Sequence, residues 1–216
     1  MLNAVIFDVD GTLLDTERIY MKAWKDAAAS MGYEVTDALL QKTRAISSKE
    51  AARIFEEEIG NGFSYKAVRP ERVRIAEEII ARESPILKPG VAELLNLLKE
   101  KNIPMAVASS TNVAATREHL QASRILEYFQ VVVGGDMIVN GKPHPDIFLK
   151  AAELLNVAPE HCVVVEDSPA GIRAAVSAAM AAVLVPDQAV ITQEIMDMST
   201  IVLNSLHQMP AYLETL

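Results

Sequence analysis

Two aspartates, Asp8 and Asp10, come directly after the short apolar run Ala4–Phe7 near the start of this chain. The run has the length and the β-branched content of a buried strand. Gly11 follows the second aspartate, so we expect a turn that leaves both carboxylates at the carboxyl end of the strand, where open α/β sheets bind ligands. Because two carboxylates held this close repel one another, the pair predicts a nearby cation.

Three further groups of polar residues follow apolar, β-branched runs later in the chain. If each run is a strand of one parallel sheet, these groups lie at the same edge as the aspartate pair, and one crevice can receive them all. Each group alone is typical of a helix cap or a solvated loop, whereas their shared position favours a functional site. The groups are Ser109, Ser110, Thr111 and Asn112, then Lys142, then Glu166 and Asp167.

These residue types indicate phosphoryl transfer. An aspartate with an ordinary pKa of about 3.9 is ionised at pH 7, so Asp8 can attack a phosphorus atom without a base and form an aspartyl-phosphate. Asp10 is then left to protonate the leaving alkoxide and later to deprotonate a water molecule. Attack by one anion on another needs positive charge, and Lys142 supplies one such charge. The acids Asp8, Glu166 and Asp167 offer the oxygen ligands that Mg²⁺ prefers.

The phosphate oxygens need hydrogen-bond donors as well as positive charge. We expect the hydroxyls of Ser109 and Ser110, with nearby backbone N–H groups, to bind these oxygens together with Lys142. Thr12 is expected to hold the second aspartate in place, and Asn112 to support the phosphate-binding turn. The sequence therefore predicts a phosphate site whose parts come from four different strand ends.

Five short apolar runs alternate along the chain with helical patterns, in which apolar residues recur at i, i+3, i+4 and i+7, as in the segment 91–98. Strands that alternate with helices predict a mostly parallel sheet covered on both faces. The fold class is therefore α/β, with a doubly wound parallel sheet. The five predicted strands cover residues 4–7, 105–108, 131–133, 163–165 and 182–185.

The segment 16–85 breaks this alternation, since it contains helical stripes and no convincing strand pattern. We expect a core domain of residues 1–15 and 86–216, and a helical cap domain of residues 16–85 inserted after the first strand. Because the insertion leaves the core just after the aspartate pair, a lid over the active face is expected. A rigid helical subdomain is the alternative.

The composition limits the class of function. The chain has 216 residues, half of them hydrophobic, which is enough to bury a core. Its net charge of −9 argues against nucleic acid and against a polybasic membrane contact. The first apolar run is not a signal peptide, and no run is long enough to span a bilayer. A single cysteine, Cys162, permits no internal disulfide, which favours a cytoplasmic setting. We expect a monomer.

The four groups of polar residues resemble the four motifs of the haloacid dehalogenase (HAD) superfamily, in order and spacing, over the whole chain. The matching positions are Asp8-Val-Asp10-Gly-Thr, Ser109, Lys142 and Glu166-Asp167. The resemblance implies a Rossmann-like core with the strand order 5-4-1-2-3 and a small inserted helical cap. It also implies that Asp8 is the nucleophile and Asp10 the general acid/base. The backbone carbonyl of Asp10 would bind Mg²⁺ together with the carboxylates of Asp8 and Asp167.

Within the superfamily the chain is similar to the β-phosphoglucomutase-like branch, as in Lys142-Pro-His-Pro-Asp146 and Glu166-Asp-Ser-Pro-Ala-Gly-Ile172. That branch contains both sugar-phosphate phosphatases and the mutase. Tyr20 stands where the mutases carry a histidine, and the stretch 43–49 does not match their arginine motif cleanly. We therefore expect a Mg²⁺-dependent phosphatase, a phosphoric monoester hydrolase, whose substrate is a small phosphorylated metabolite such as a sugar phosphate.

Two other functions stay open. One is a phosphosugar isomerase of the β-phosphoglucomutase type, and the other is a non-catalytic protein that binds a phosphorylated ligand. Loss of catalysis on this scaffold usually removes the nucleophile or the acid/base, and both are present. Substrate choice would depend on cap side chains, for which the candidates are Tyr20, Arg44, Lys49 and Lys66.

Overall fold

The computed structural model describes residues 2–43 and 48–215. Contacts between residues divide the chain into two units. The larger unit comprises Met1–Asp15 together with Pro85–Leu216, and the smaller unit comprises Thr16–Ser84. Every residue of the predicted catalytic and phosphate-binding groups belongs to the larger unit.

A six-stranded sheet, in which all neighbouring strands are parallel, forms the centre of the larger unit. The strands of the chain, in order, are β1 (Ala4–Phe7), β2 (Leu14–Asp15), β3 (Ile86–Leu87), β4 (Met105–Ser109), β5 (Val131–Gly134), β6 (Cys162–Glu166), β7 (Ala181–Leu184) and β8 (Ile201–Val202). The sheet has the order β5-β4-β1-β6-β7-β8, while β2 and β3 form a separate antiparallel pair. The five predicted strands and the strand order implied by the resemblance are confirmed, and β8 extends the sheet by one strand.

Helices cover both faces of this sheet. Val5 and Phe7 of β1 belong to one apolar core, together with residues of the helix Val91–Glu100. Ala4 and Ile6 belong to a second core on the other face of the sheet. This alternation confirms the predicted doubly wound α/β fold. The helices are α1 (Glu17–Ser30), α2 (Asp37–Lys42), α3 (Ser48–Ile59), α4 (Tyr65–Glu83), α5 (Val91–Glu100), α6 (Val113–Ala122), α7 (Asp146–Leu155), α8 (Pro169–Ser177), α9 (Gln193–Met198) and α10 (Met209–Leu213).

The register of β1 determines what its carboxyl end meets. All four residues of β1 are fully buried, as expected for a strand covered on both faces. Phe7 pairs with Val107 of β4 on one side and with Val165 of β6 on the other. The residue that follows β1 therefore lies beside the last residues of β4 and β6, as the strand-end argument predicted.

The smaller unit has its own aromatic core. The ring of Trp24 on α1 lies 4.7 Å from that of Phe55 on α3 and 5.0 Å from that of Tyr65 on α4, centroid to centroid. Thr36 and Ser64 cap the first turns of α2 and α4 with their hydroxyls. Within the part of this unit that the structure describes, the regular elements are all helices. Across residues 2–43 and 48–215, none of the helices combines the length and the apolar character needed to cross a membrane.

Candidate active site

Lys142 joins two buried carboxylates. Its ammonium donates a hydrogen bond to Oδ1 of Asp8 over 2.5 Å and another to Oε1 of Glu166 over 2.7 Å. A longer bond of 3.3 Å reaches the carbonyl of Ala108, and the Nζ atom lies 5.0 Å from the ring centroid of Phe148. The three charged side chains are at most 10% exposed. The loop before α7 thus brings the predicted lysine to the ends of β1 and β6.

Glu166 organises the turn between β6 and α8. Its Oε2 accepts hydrogen bonds from the backbone N–H groups of Asp167 (2.8 Å) and Ser168 (2.7 Å) and from the Ser168 hydroxyl (2.9 Å). The Ser168 hydroxyl also accepts from the N–H of Gly171 and caps α8. A methyl group on Gly171 would overlap the Glu166 carboxylate, so this packing requires glycine. Both oxygens of Glu166 are therefore engaged by protein donors.

Three acids could hold a metal ion. Asp8, Glu166 and Asp167 each offer a carboxylate oxygen, and these oxygens all lie within 4.8 Å of one another. Such a group of hard oxygen donors fits Mg²⁺, which is commonly held by one or two carboxylates and keeps several water ligands. Because Glu166 already binds Lys142 and the following turn, Asp8 and Asp167 are the better fit as direct ligands.

The electrostatics of these acids favour an added positive charge. Burial raises the pKa of Asp8 from its ordinary 3.8 to about 7; the Lys142 ammonium lowers it, and the charges of Glu166 and Asp10 raise it. Burial also raises the pKa of Asp167 well above its ordinary value, and the charges of Glu166 and Asp8 add to the effect. Burial lowers the pKa of Lys142, but the charges of Asp8 and Glu166 outweigh it and raise the pKa overall. A bound divalent cation would favour the ionised acids.

Asp10 lies against the end of β4. Its Oδ2 accepts hydrogen bonds from the hydroxyl of Thr111 over 3.3 Å and from that of Ser109 over 3.5 Å. The Ser109 hydroxyl also accepts from the backbone N–H of Thr111 over 3.1 Å. Thr111 belongs to the polar group after β4, but the sequence predicted no role for it. Its position two residues after Ser109 was the available signal.

The structure bears on three other predicted roles, those of Thr12, Asn112 and Ser110. Thr12 does not hold Asp10: its Oγ1 is buried and has no hydrogen-bond partner among the described residues. Asn112 caps α6, since its side chain accepts from the N–H of Ala115 over 2.9 Å, which is the ordinary role of such a residue. Ser110 is exposed just after β4, so its predicted contact with phosphate remains a prediction.

Two charged residues that the sequence analysis did not select lie in the same unit. Lys88, which follows β3, donates a hydrogen bond over 2.6 Å to Oδ1 of Asp187, which follows β7. The charge of Asp187 also raises the pKa of Asp167, although burial and the charges of Glu166 and Asp8 raise it more. In the sequence, Asp187 could have been selected only because it follows the fifth predicted strand, at the same edge of the sheet as the other polar groups.

A family model for haloacid dehalogenase-like hydrolases matches residues 2–179 of the chain. The chain belongs to this hydrolase family. The HAD resemblance seen in the four motifs is therefore confirmed. The family model spans all of the residues in the candidate site except Asp187.

Relatives place the chain within this HAD-like family. It is 39% identical over 181 residues to the phosphorylated carbohydrates phosphatase of Thermotoga maritima, covering 82% of each chain. It is 34% identical over 190 residues to the β-phosphoglucomutase of Bacillus subtilis, covering 84% of this chain and 82% of that one. The crystal structure of β-phosphoglucomutase from Clostridium difficile superposes with a TM-score of 0.80 at 28% identity, covering 100% of this chain and 96% of that one. The similarity to the β-phosphoglucomutase-like branch is confirmed.

The HAD-like chain carries its candidate specificity residues in the smaller unit. The guanidinium of Arg72 lies 4.1 Å from the ring centroid of Tyr20. Lys49 and Lys66 are exposed on α3 and α4. Arg44 lies outside the described residues. The predicted role of these side chains in substrate choice stays a prediction.

Proposed function

We propose that this protein is a Mg²⁺-dependent phosphatase that hydrolyses a small phosphorylated metabolite, a sugar phosphate, through an aspartyl-phosphate on Asp8. The proposal rests on one observation: Asp8 is buried against the ammonium of Lys142, while a second acid two residues later is held by hydroxyls of β4 and its following turn. These contacts support attack by the first acid and proton transfer by the second. The naming of the Thermotoga maritima relative for phosphorylated carbohydrates supports the substrate class.

In the first half of the proposed reaction, a carboxylate oxygen of Asp8 attacks phosphorus. The new oxygen–phosphorus bond forms as the bond from phosphorus to the ester oxygen breaks, and Asp10 donates a proton to the departing alkoxide. Lys142 and the Ser109 hydroxyl hold the phosphoryl oxygens. Asp8, Asp167 and the backbone carbonyl of Asp10 would hold Mg²⁺, which would supply the positive charge that lets one anion approach another.

In the second half, water attacks the phosphorus of the aspartyl-phosphate, and Asp10 accepts the proton that the water loses. The bond between phosphorus and the Asp8 oxygen breaks, which restores the carboxylate and releases inorganic phosphate. Asp10 gave up its proton in the first half, so the proton that it takes from water restores its starting state. The Thr111 hydroxyl keeps the Asp10 carboxylate in one position for both transfers.

Release of inorganic phosphate from a panel of phosphorylated metabolites, measured with and without Mg²⁺, tests the proposal. The wild-type protein should release phosphate from at least one sugar phosphate in a Mg²⁺-dependent manner. Asp8→Asn should abolish turnover while its circular dichroism spectrum stays unchanged. Wild-type turnover in Asp8→Asn would overturn the assignment of the nucleophile. Binding of sugar phosphates without release from any of them would favour a non-catalytic, ligand-binding protein.

The similarity to β-phosphoglucomutases favours a second candidate, an isomerase that converts a hexose 1-phosphate to the 6-phosphate. Such an enzyme needs a bisphosphate primer. Incubation with glucose 1-phosphate and a hexose bisphosphate distinguishes the two activities by their products. Glucose 6-phosphate would establish the isomerase, whereas inorganic phosphate without any isomer would exclude it.

We also propose that Thr16–Ser84 acts as a cap that selects the substrate, within a monomeric cytoplasmic enzyme. The insertion of this helical unit in the chain between β2 and β3, directly after the aspartate pair, supports that role. Tyr20→Phe and Lys66→Gln should then change the ratio of kcat/KM between two sugar phosphates. Light scattering coupled to gel filtration tests the monomer.

A further inference from the structure

Asp187 lies beside Asp167 although the two acids follow different strands. A Cβ atom built on Gly11 would overlap Oδ2 of Asp167 and would lie 3.4 Å from Oδ2 of Asp187. Both oxygens therefore border the turn that follows Asp8 and Asp10. Position 11 of this turn has room only for glycine. The Asp187 carboxylate is thus a further acid near Asp167, outside all four motifs.

Only one of the two oxygens of Asp187 is satisfied. Oδ1 accepts the hydrogen bond of Lys88, and the Asp187 side chain is 8% exposed. Oδ2 is buried and has no hydrogen-bond partner among the described residues. A buried carboxylate oxygen without a donor is costly, so this position favours a ligand that supplies one.

The position of Asp187 favours a contact through water over direct ligation. It is not among the three acids whose oxygens lie within 4.8 Å of one another. Mg²⁺ retains several water molecules when it binds to proteins, and these waters are donors that a nearby carboxylate can accept. Residues around a metal that hold its ligands in place commonly change metal affinity by 10- to 100-fold when they are removed.

We propose that Asp187 is a positioning residue for the metal site: its Oδ2 accepts a hydrogen bond from a water molecule bound to the ion beside Asp167. Lys88 occupies the opposite oxygen, Oδ1, which leaves Oδ2 for this water. This inference rests on the proposed Mg²⁺ site, but it does not depend on the identity of the substrate.

Binding of Mn²⁺ to the full chain without substrate, followed by the electron paramagnetic resonance signal of the free ion, tests this role. Asp187→Asn should weaken Mn²⁺ binding about tenfold or more. Lys88→Met, which removes a cation from beside the site, should bind Mn²⁺ at least as tightly as the wild type. The double variant Lys88→Met/Asp187→Asn leaves no partly buried lysine unpaired, and it should bind about tenfold more weakly than Lys88→Met.

The exposed ion pair of Lys150 and Glu153 on α7 provides matched controls. Glu153→Gln and Lys150→Met make the same changes of charge and should leave Mn²⁺ affinity within twofold of the wild type. Wild-type affinity in both the single and the double Asp187 variants would overturn the proposal. Equal weakening by Lys88→Met and Asp187→Asn would also overturn it, because only the ion pair would then matter.

The failure of this inference is distinguishable from the failure of the proposed function. If the wild type releases phosphate and binds Mn²⁺ while Asp187→Asn binds it equally well, the role of Asp187 is wrong and the phosphatase stands. If no substrate is hydrolysed but Asp187→Asn loses Mn²⁺ affinity, the phosphatase is wrong and the role of Asp187 stands.

Discussion

Lys142 and Asp8 are separated by 134 residues in the chain, yet the lysine ammonium lies 2.5 Å from the aspartate Oδ1. The same ammonium binds Glu166, so one lysine pairs with two buried acids at the ends of adjacent strands. This contact joins the first, third and fourth motifs into one charged cluster. In the proposed reaction, this positive charge lies beside the attacking oxygen of Asp8.

Replacing Lys142 with methionine should lower both activity and stability. The variant leaves Asp8 and Glu166 buried together without their shared cation, and breaking a buried ion pair typically costs about 3–5 kcal/mol. Loss of a group that stabilises a transition-state oxyanion typically lowers kcat by about 10²–10³. Urea denaturation and phosphate-release kinetics measure the two effects.

Lys142→Arg tests whether a positive charge alone is sufficient for activity and stability. The planar guanidinium does not reproduce the single-point contact of an ammonium between two carboxylates, so we expect stability to recover more than kcat. Recovery of full activity in Lys142→Arg would contradict the positional role of the lysine.

Gly171→Ala should disturb the site without changing any charge. The added methyl group would overlap the Glu166 carboxylate, which must then leave the position in which it binds Lys142 and the turn before α8. We expect a loss of about 1–3 kcal/mol in the free energy of unfolding, as for other overpacked positions, and a lower kcat. Gly141→Ala is the matched control, because a methyl group there meets nothing within 4 Å.

The sequence predicted the site well where strand ends determine it. The β-branched runs locate β1, β4 and β6, and a parallel sheet brings their carboxyl ends to one edge. The placement of Asp8, Ser109 and Glu166 follows from that rule. The short strands β2, β3 and β8 have only two residues each, so they carry no alternation that a pattern could reveal.

Side-chain partners were harder to predict than positions. Thr12 lies in the first motif, and Thr111 lies two residues after the second, so either could hold Asp10. Only the packed structure shows that Thr111 does so. The contact of Lys88 with Asp187 spans 99 residues and involves no motif. Such contacts depend on the final packing of loops. Secondary-structure propensity and hydrophobic periodicity do not describe that packing.

The two threonines predict different outcomes for the same substitution. Thr111→Val removes a hydroxyl that donates to Asp10, so we expect kcat to fall by up to about 10²-fold, the low end for general acid–base catalysis, with KM little changed. Thr12→Val removes a hydroxyl that makes no hydrogen bond to a described residue, so kcat should stay near the wild-type value. Steady-state kinetics on both variants, with a pH–rate profile for Thr111→Val, measure the difference. A larger loss in Thr12→Val would reverse the assignment.

The raised pKa of Asp8, about 7 against an ordinary 3.8, predicts how pH acts on metal-free and metal-bound protein. Between these values the folded protein keeps a proton that the unfolded chain has lost, so this group's contribution to stability is present below about pH 4 and is lost as the pH rises through 7. Mg²⁺ bound at the proposed site would take the ionised acid and release that proton. The increase in Tm on adding Mg²⁺ should therefore be larger at pH 8 than at pH 6, and Mg²⁺ affinity should fall about tenfold per pH unit below 7 for each proton displaced. Calorimetric titrations in two buffers of different ionisation enthalpy count the released protons, and Asp8→Asn should release fewer. An affinity for Mg²⁺ that does not change between pH 6 and pH 8 would contradict the raised pKa.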